Sequence, residues 1–260
     1  MKRFVTDLRK YMKYTLHAAK SELKSEVIGS YLSWVWLILE PFCFMLIYTF
    51  IVQIVFHSTE EYLPVFVFIG LTGWNFFNKT VNGSVKLVKN YKNIITKVYL
   101  PKFVLLNVKM AINFFKMMVS LLIVMGMIVF YKIQISWNIL YLIPLLVLLW
   151  VGTFACSSIF LHFGVFLEDL SNIVTIVLRL LFYLSGVFYS ILTRLPDPFG
   201  RYLLHYNPMA YVLDEMRNVL IFCTPIDFKW YFIWLFISVV VACVGISTIY
   251  KYENGYAKVI

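Results

Sequence analysis

Chemistry in this chain has to come from a few ionisable groups set in long apolar stretches. Glu40 stands directly before Pro41, Lys109 and Lys116 share one helical face, and Arg179 interrupts an otherwise uncharged run over 170–193. An ionisable side chain at membrane depth is costly and faces protein or water. Two readings follow. One is pairing between helices, with Lys109 snorkelling to the interface. The other is an anion-contacting pathway for phosphate or sugar, lined by Glu40, Lys116 and Arg179. Glu40 reads as a partner for one of the three cations rather than as a proton relay.

Nothing in the sequence points to catalysis. It has no GxSxG nucleophile elbow, no HExxH pair and no GxxxxGK[ST] phosphate loop, so it is expected to be no enzyme and to hold no nucleotide of its own. Cys43, Cys156, Cys223 and Cys243 are scattered, as are His17, His57, His162 and His205, and no metal site is expected from either set.

The elements that must carry these groups are transmembrane helices. Hydrophobic residues make up 62% of the 260 and charged ones only 14%, against the roughly 25% charged residues of a soluble domain, which excludes an ordinary water-soluble enzyme. No Asp, Glu, Lys or Arg occurs in 41–59, 62–78, 117–131, 133–167 or 230–250. A helix needs roughly 20 apolar residues to cross about 30 Å of hydrocarbon. Six spans are predicted, at about 34–57, 63–85, 103–131, 138–163, 171–192 and 230–250. The runs are continuous and lack alternation, so the fold class is an all-α polytopic membrane protein and not a barrel.

Charge placement orients the spans. Seven basic residues precede residue 34 and five more occupy 86–102, whereas the loops at 57–64 and 131–137 hold none and one. Basic loops stay inside, so both termini are expected to be cytoplasmic. The net charge of +10 is thereby assigned to anionic headgroups and not to nucleic acid.

Ahead of the first span, residues 1–27 lack the apolar core of a secretory signal. Instead Phe4, Leu8, Tyr11, Thr15, Ala19 and Leu23 recur at helical spacing, predicting an amphipathic interface helix over 1–30 before a transmembrane domain over 31–260. It either anchors the chain, or guides a lipid-linked substrate or touches a partner. Aromatic residues are dense, with 24 Phe, 18 Tyr and 7 Trp. Trp34, Trp36, Trp137 and Trp230 fall near predicted span ends, as interface anchors do. Alternatively rings line a pathway and stack on sugars, with Trp36 and the cluster Phe182, Tyr183, Phe188 and Tyr189 as candidates.

Several motifs are more specific. Residues 32–41, LSWVWLILEP, resemble the LGxxWxxxxP start of the first span in type-2 ABC exporter permeases. Residues 93–102, NIITKVYLPK, resemble that family's cytoplasmic loop, and Glu168-Asp169 sits where it carries Arg-Asp. Residues 184–189, LSGVFY, resemble its S-[PG]-V-F-Y motif, and Asn207-Pro208-Met209 followed by Arg217 resembles its NPM…R segment. The similarity is strongest to permeases that export polysaccharide, O-antigen or teichoic acid on polyprenyl carriers, with drug or lipid permeases of the same fold as the alternative.

This resemblance implies a homodimer of permeases working with two copies of a separate ABC ATPase, which would bind the ATP and Mg. It implies that 86–101 holds the ATPase-coupling helix, with Lys92, Asn93, Ile94, Ile95, Lys97, Val98, Tyr99 and Pro101 as its contact residues. Lys86, Lys89 and Lys92 would keep that segment in water, while Ile94, Ile95 and Val98 dock. It also implies re-entrant helices over 194–229, between spans five and six, with Asn207, Pro208 and Arg217 at an outer gate. Ser33, Glu26 and Glu168 depart from the pattern, standing where Gly, a basic residue and Arg are usual. Only 251–260 follow the last predicted span, so recognition of polymer ends is expected to reside in a partner.

Overall fold

The computed structural model describes residues 2–28, 33–55 and 61–259, and every regular element among them is helical. In chain order they are α1 (Lys2–Ile28), α2 (Ser33–Phe50, continuing as a π-helical turn over Ile51–Val55), α3 (Leu63–Val85), α4 (Leu87–Asn90), α5 (Lys92–Ile95) and α6 (Lys102–Phe130). A 3₁₀ turn at Trp137–Tyr141 leads into α7 (Leu142–Phe166). Then come α8 (Leu170–Leu184), α9 (Ile191–Arg194), α10 (Phe199–Tyr206), α11 (Pro208–Leu220) and α12 (Phe228–Val259).

Helix α3 is the central post. Most of its side chains are buried, among them Val65, Phe66, Val67, Phe68 and Ile69. Paired contacts give the direction of each neighbour. Asn113 donates to Thr80 Oγ1 at 3.0 Å and the Phe76 and Phe114 rings meet at 6.0 Å, so α6 runs antiparallel to α3. Glu40 meets Lys79 while Tyr48, further along α2, shares a cavity wall with Leu71 and Trp74, and Thr175 and Phe182 meet Asn82 and Trp74, so α2 and α8 are antiparallel to it as well. Phe76 stacks on Trp150, and Gly164 lies against Val85, so α7 runs parallel to α3. Tyr141 meets Phe228 and His162 meets Tyr256, which makes α12 parallel to α7. Thus α3, α7 and α12 point one way and α2, α6 and α8 the other.

Between apolar helices in lipid there is little hydrophobic drive, and close packing of small residues replaces it. Along the α7–α12 seam, Gly152 faces Ser238 and Gly245 faces Ser158. A Cβ at Gly245 would sit 1.9 Å from Ser158 Oγ, and on the side of α7 that meets α3 one at Gly164 would sit 2.0 Å from the Val85 carbonyl oxygen.

Helix α1 spends its predicted apolar stripe on protein. The Phe4 ring lies 4.9 Å from that of Phe103, and Ala19 packs with Val108 and Ile112, so α1 runs alongside the first half of α6. A second set of apolar side chains, Val5, Met12 and Leu16, stays exposed on another face.

Among the described residues, three helices are long and apolar enough to cross a membrane: Lys102–Phe130, Trp137–Phe166 and Phe228–Glu253. Ile38–Ile54 and Leu170–Leu184 are shorter apolar helices. The fifth predicted span, 171–192, therefore closes early. Gly186 takes a left-handed φ of 59° that ends the helix, and α9 restarts on a new course. The first predicted span contains Pro41, which removes one helical N–H, and passes into a π turn before 56–57, which lie outside the described residues. Helix α3 covers Leu63–Val85, the range of the second predicted span, and carries Asn75, Asn78, Lys79 and Asn82 among its apolar residues.

Candidate functional site

Two adjoining cavities flank the α3 post, and both take a wall from Phe44 and Asn75. The first, of about 220 Å³, is lined by Glu26, Trp36, Glu40, Lys79, Asn113 and Lys116 among others. Here the sequence-predicted pathway residues Trp36, Glu40 and Lys116 come together. Lys116 Nζ donates to Glu26 Oε2 at 2.6 Å, and Lys79 Nζ to Glu40 Oε1 at 3.1 Å. Glu40 thus does pair with a lysine, but with Lys79 and not with Lys109, Lys116 or Arg179. Lys109 is held by Glu22 at 3.7 Å, one turn before Glu26 on α1.

Sequence reading missed Lys79 because it closed the second span's charge-free run at Asn78. A usable signal was present. Asn75, Lys79 and Asn82 recur every three to four residues, which is a polar stripe on one face of α3. Glu26, a departure from the family pattern, has its physical account in Lys116.

The second cavity, of about 450 Å³, is lined by Tyr48, Trp74, Asn78, Arg179, Phe182 and Tyr183 among others. Tyr48 and Phe188 stack at 5.6 Å with 9° between their planes, and Phe182 contacts both Trp74 and Phe188. Tyr189 does not join this wall through its hydroxyl, which donates instead to the Tyr183 carbonyl at 2.6 Å. Flat, weakly selective ring faces beside a guanidinium form a surface suited to sugars and to anions. Tyr48 and Trp74 were not anticipated, since on sequence they are ordinary aromatic residues of apolar helices.

The residues predicted at an outer gate meet in one junction. Asn207 caps α11, its Oδ1 accepting from the N–H groups of Met209 (3.0 Å) and Ala210 (3.3 Å), and Pro208 fits the next position, where no N–H is needed. Its amide also donates to Ser185 Oγ at 3.0 Å. Arg217, only 2% exposed, donates to the carbonyls of Phe66, Gly186 and Val187 and lies 3.7 Å from the centre of the Phe66 ring. The SGVFY and NPM…R motifs are therefore two halves of one clamp that fixes the end of α8 to α11 and α3. Beside it Glu215 is buried, and that burial pushes its carboxyl up to about 7, aided by the Asp214 charge.

At the opposite pole lie the α3–α6 connection, the α7–α8 turn and described residues of both terminal helices. The connection is two single helical turns, α4 and α5, followed by an extended approach to Pro101. Lys92, Asn93, Ile94, Lys97, Val98 and Tyr99 are exposed. Ile95, also in the expected docking set, is 7% exposed and joins the protein's own core, while Ile94 and Val98 form an apolar surface. Pro101 is buried at the start of α6.

Two tyrosines tie this segment to α1. Tyr91 Oη donates to Glu22 at 2.5 Å, and burial together with that carboxylate pushes the phenol well above its usual range. Arg3 donates to Tyr99 Oη (2.7 Å), which donates to Glu253 of α12 (3.0 Å), while Arg3 also pairs with Asp7. Glu168, where the family pattern has Arg, lies 3.6 Å from Lys89. Among the described residues no group of His, Cys, Asp and Glu could hold a metal ion.

A family model described as ABC-2 type transporter matches residues 18–221, and the chain belongs to that family. Over 222 residues it is 28% identical to the O-antigen export system permease protein RfbA of Myxococcus xanthus, covering 84% of each chain. Over 242 residues it is 26% identical to a protein of the same name from Klebsiella pneumoniae, covering 92% of each.

Proposed function

We propose that this chain is the membrane subunit of an ATP-driven exporter that moves a lipid-linked polysaccharide, such as an O-antigen, capsule, teichoic acid or related cell-wall glycan, across the bacterial cytoplasmic membrane. The observation that carries the reading is end-to-end similarity to permeases named for O-antigen export, over 84% and 92% of their lengths. The paired cavities support it, because one offers ammonium groups and the other aromatic faces.

The alternating directions of α2, α3, α6, α7, α8 and α12 are what six crossings require, with α9–α11 as re-entrant pieces of the outer exit. The pole that carries Arg3, the 86–102 lysines and Glu253 is cytoplasmic on the positive-inside rule, which puts both termini there. Residues 86–101 couple to the ATPase, offering Lys92, Asn93, Ile94, Lys97, Val98 and Tyr99, with Pro101 fixing the turn into α6. Exposed apolar side chains on α2 and α8, including Phe42, Leu46, Ile173 and Leu180, suit a homodimer with the conduit between copies. Two ATPase copies would supply ATP and Mg, and this chain needs no cofactor. Asn207, Pro208 and Arg217 hold the outer gate, and Val5, Met12 and Leu16 on α1 face the inner leaflet.

Co-purified permease and ATPase, reconstituted in vesicles with lipid-linked glycan, should move the glycan across the bilayer upon ATP addition. Transfer of a drug or phospholipid but of no glycan would replace the reading with the drug or lipid permease of the same fold.

A further inference from the structure

The smaller cavity holds more charge than a sugar conduit needs. Two ammonium groups, Lys79 from α3 and Lys116 from α6, line one space with the amide of Asn113. Each ammonium is met by a carboxylate from a different part of the chain: Glu26 at the end of α1 and Glu40 early in α2. The cations thus belong to the α3–α6 body, and the anions to the α1–α2 arm that leans against it.

Both ion pairs are partly exposed to the cavity, with side-chain exposures between 28% and 51%, so each contributes little to stability. The arrangement makes sense when the carboxylates stand in for another anion. A phosphate or diphosphate presents several oxygens in one compact group and can bridge two ammoniums that two separate carboxylates now occupy singly.

We propose that Lys79 and Lys116, with Asn113, form a phosphate- or diphosphate-binding site that the chain caps with its own Glu26 and Glu40. The proposal rests on the exporter reading, which supplies a lipid carrier ending in such a group. Binding exchanges the two carboxylates for the ligand's oxygens, so it releases the α1–α2 arm from the α3–α6 body. Because Glu22 on the same arm meets Tyr91 of the 86–102 connection, occupancy of the cavity is felt at the loop assigned to ATPase coupling.

Capping predicts effects of opposite sign for the two halves of each pair, which a structural ion pair does not. The intact permease–ATPase complex in nanodiscs is titrated with a polyprenyl diphosphate in the bilayer, and separately with inorganic pyrophosphate in the buffer. Glu26→Gln and Glu40→Gln should bind the ligand about two- to fivefold more tightly, the scale of a partly exposed ion pair. Lys79→Gln and Lys116→Gln should weaken it by tenfold or more, the scale of a lost charge-assisted hydrogen bond.

Stronger binding of the lipid form assigns the site to the carrier headgroup, and equal binding of pyrophosphate assigns it to phosphate chemistry at large. Either outcome keeps the site. Weakening in all four variants, or unchanged binding in the lysine variants, overturns it. Thermal midpoints of the four complexes identify any variant that is merely unfolded. In that case the charge-keeping Lys116→Arg, expected to retain binding within about threefold, takes its place. Glycan export by the wild-type complex is scored separately, so loss of this site leaves the transport reading standing.

Discussion

Replacing Arg217 by Met tests whether the SGVFY and NPM…R motifs are a single clamp. Methionine keeps most of the side chain's length and removes every donor. Phe66 lies within α3, so its carbonyl has a helical partner besides Arg217, whereas Gly186 and Val187 lie in the turn after α8 and depend on the guanidinium. A buried carbonyl left without a donor costs about 1–3 kcal/mol, so the two together cost about 2–6 kcal/mol, and the lost contact with the Phe66 ring adds to that. In a chain of this size each kcal/mol moves the midpoint by about 2–4 °C, so Arg217→Met should melt at least about 4 °C, and up to about 24 °C, below wild type. Arg217→Lys, with one ammonium in place of a planar fork, should fall between them. The assay is the surviving monodisperse fraction of detergent-solubilised protein after heating, measured by size-exclusion chromatography. A midpoint for Arg217→Met within about 2 °C of wild type would refute the clamp and leave Arg217 to a purely functional role.

Three more outcomes follow from the geometry. Glu215 ionises near 7 when folded and near 4.5 when not, so the folded state holds the extra proton and stability falls as pH rises through that window, by about 3 kcal/mol in all. Melting at a series of pH values should show this slope in wild type and a flat profile in Glu215→Gln, which still accepts the Asp227 N–H. Gly164→Ala drives a Cβ into the Val85 carbonyl and should lower the midpoint by several degrees, while Gly126→Ala, with open space around it, should leave it unchanged or raise it slightly. Tyr91→Phe removes the hydroxyl that binds Glu22; substrate-stimulated ATP turnover of the complex should drop several-fold with ATPase association intact, and undiminished stimulation would sever α1 from the coupling route.

Much of the fold was legible because membrane insertion imposes one-dimensional rules. Long uncharged runs had to be helices: α3, α6 and α7 begin and end within a few residues of the predicted spans, and α12 starts there but runs on to Val259. The stripe Phe4, Leu8, Tyr11, Ala19 and Leu23 announced an amphipathic α1, yet its period did not say whether lipid or protein would cover it. The end of α8 was misread for a related reason. Hydropathy continues unbroken through Val187, Phe188 and Tyr189, but the left-handed Gly186 and the Arg217 donors turn the backbone there.

The candidate site divides in the same way. Sequence identified Glu40, Lys116 and Arg179 as costly charges in apolar surroundings, and it identified the basic loop over 86–102. It assigned Ile95 to a docking surface because a single helical turn does not reveal which side the core takes. Composition, run length and the basic bias were sufficient for the membrane class and the helical architecture, and the short motifs carried the family resemblance, since each depends only on neighbours along the chain. Only the tertiary structure decided that Lys79 answers Glu40, that Glu26 answers Lys116, and that two distant motifs close on one arginine. Such pairings depend on how helices are rotated and staggered against one another, and that is fixed by lateral packing around α3.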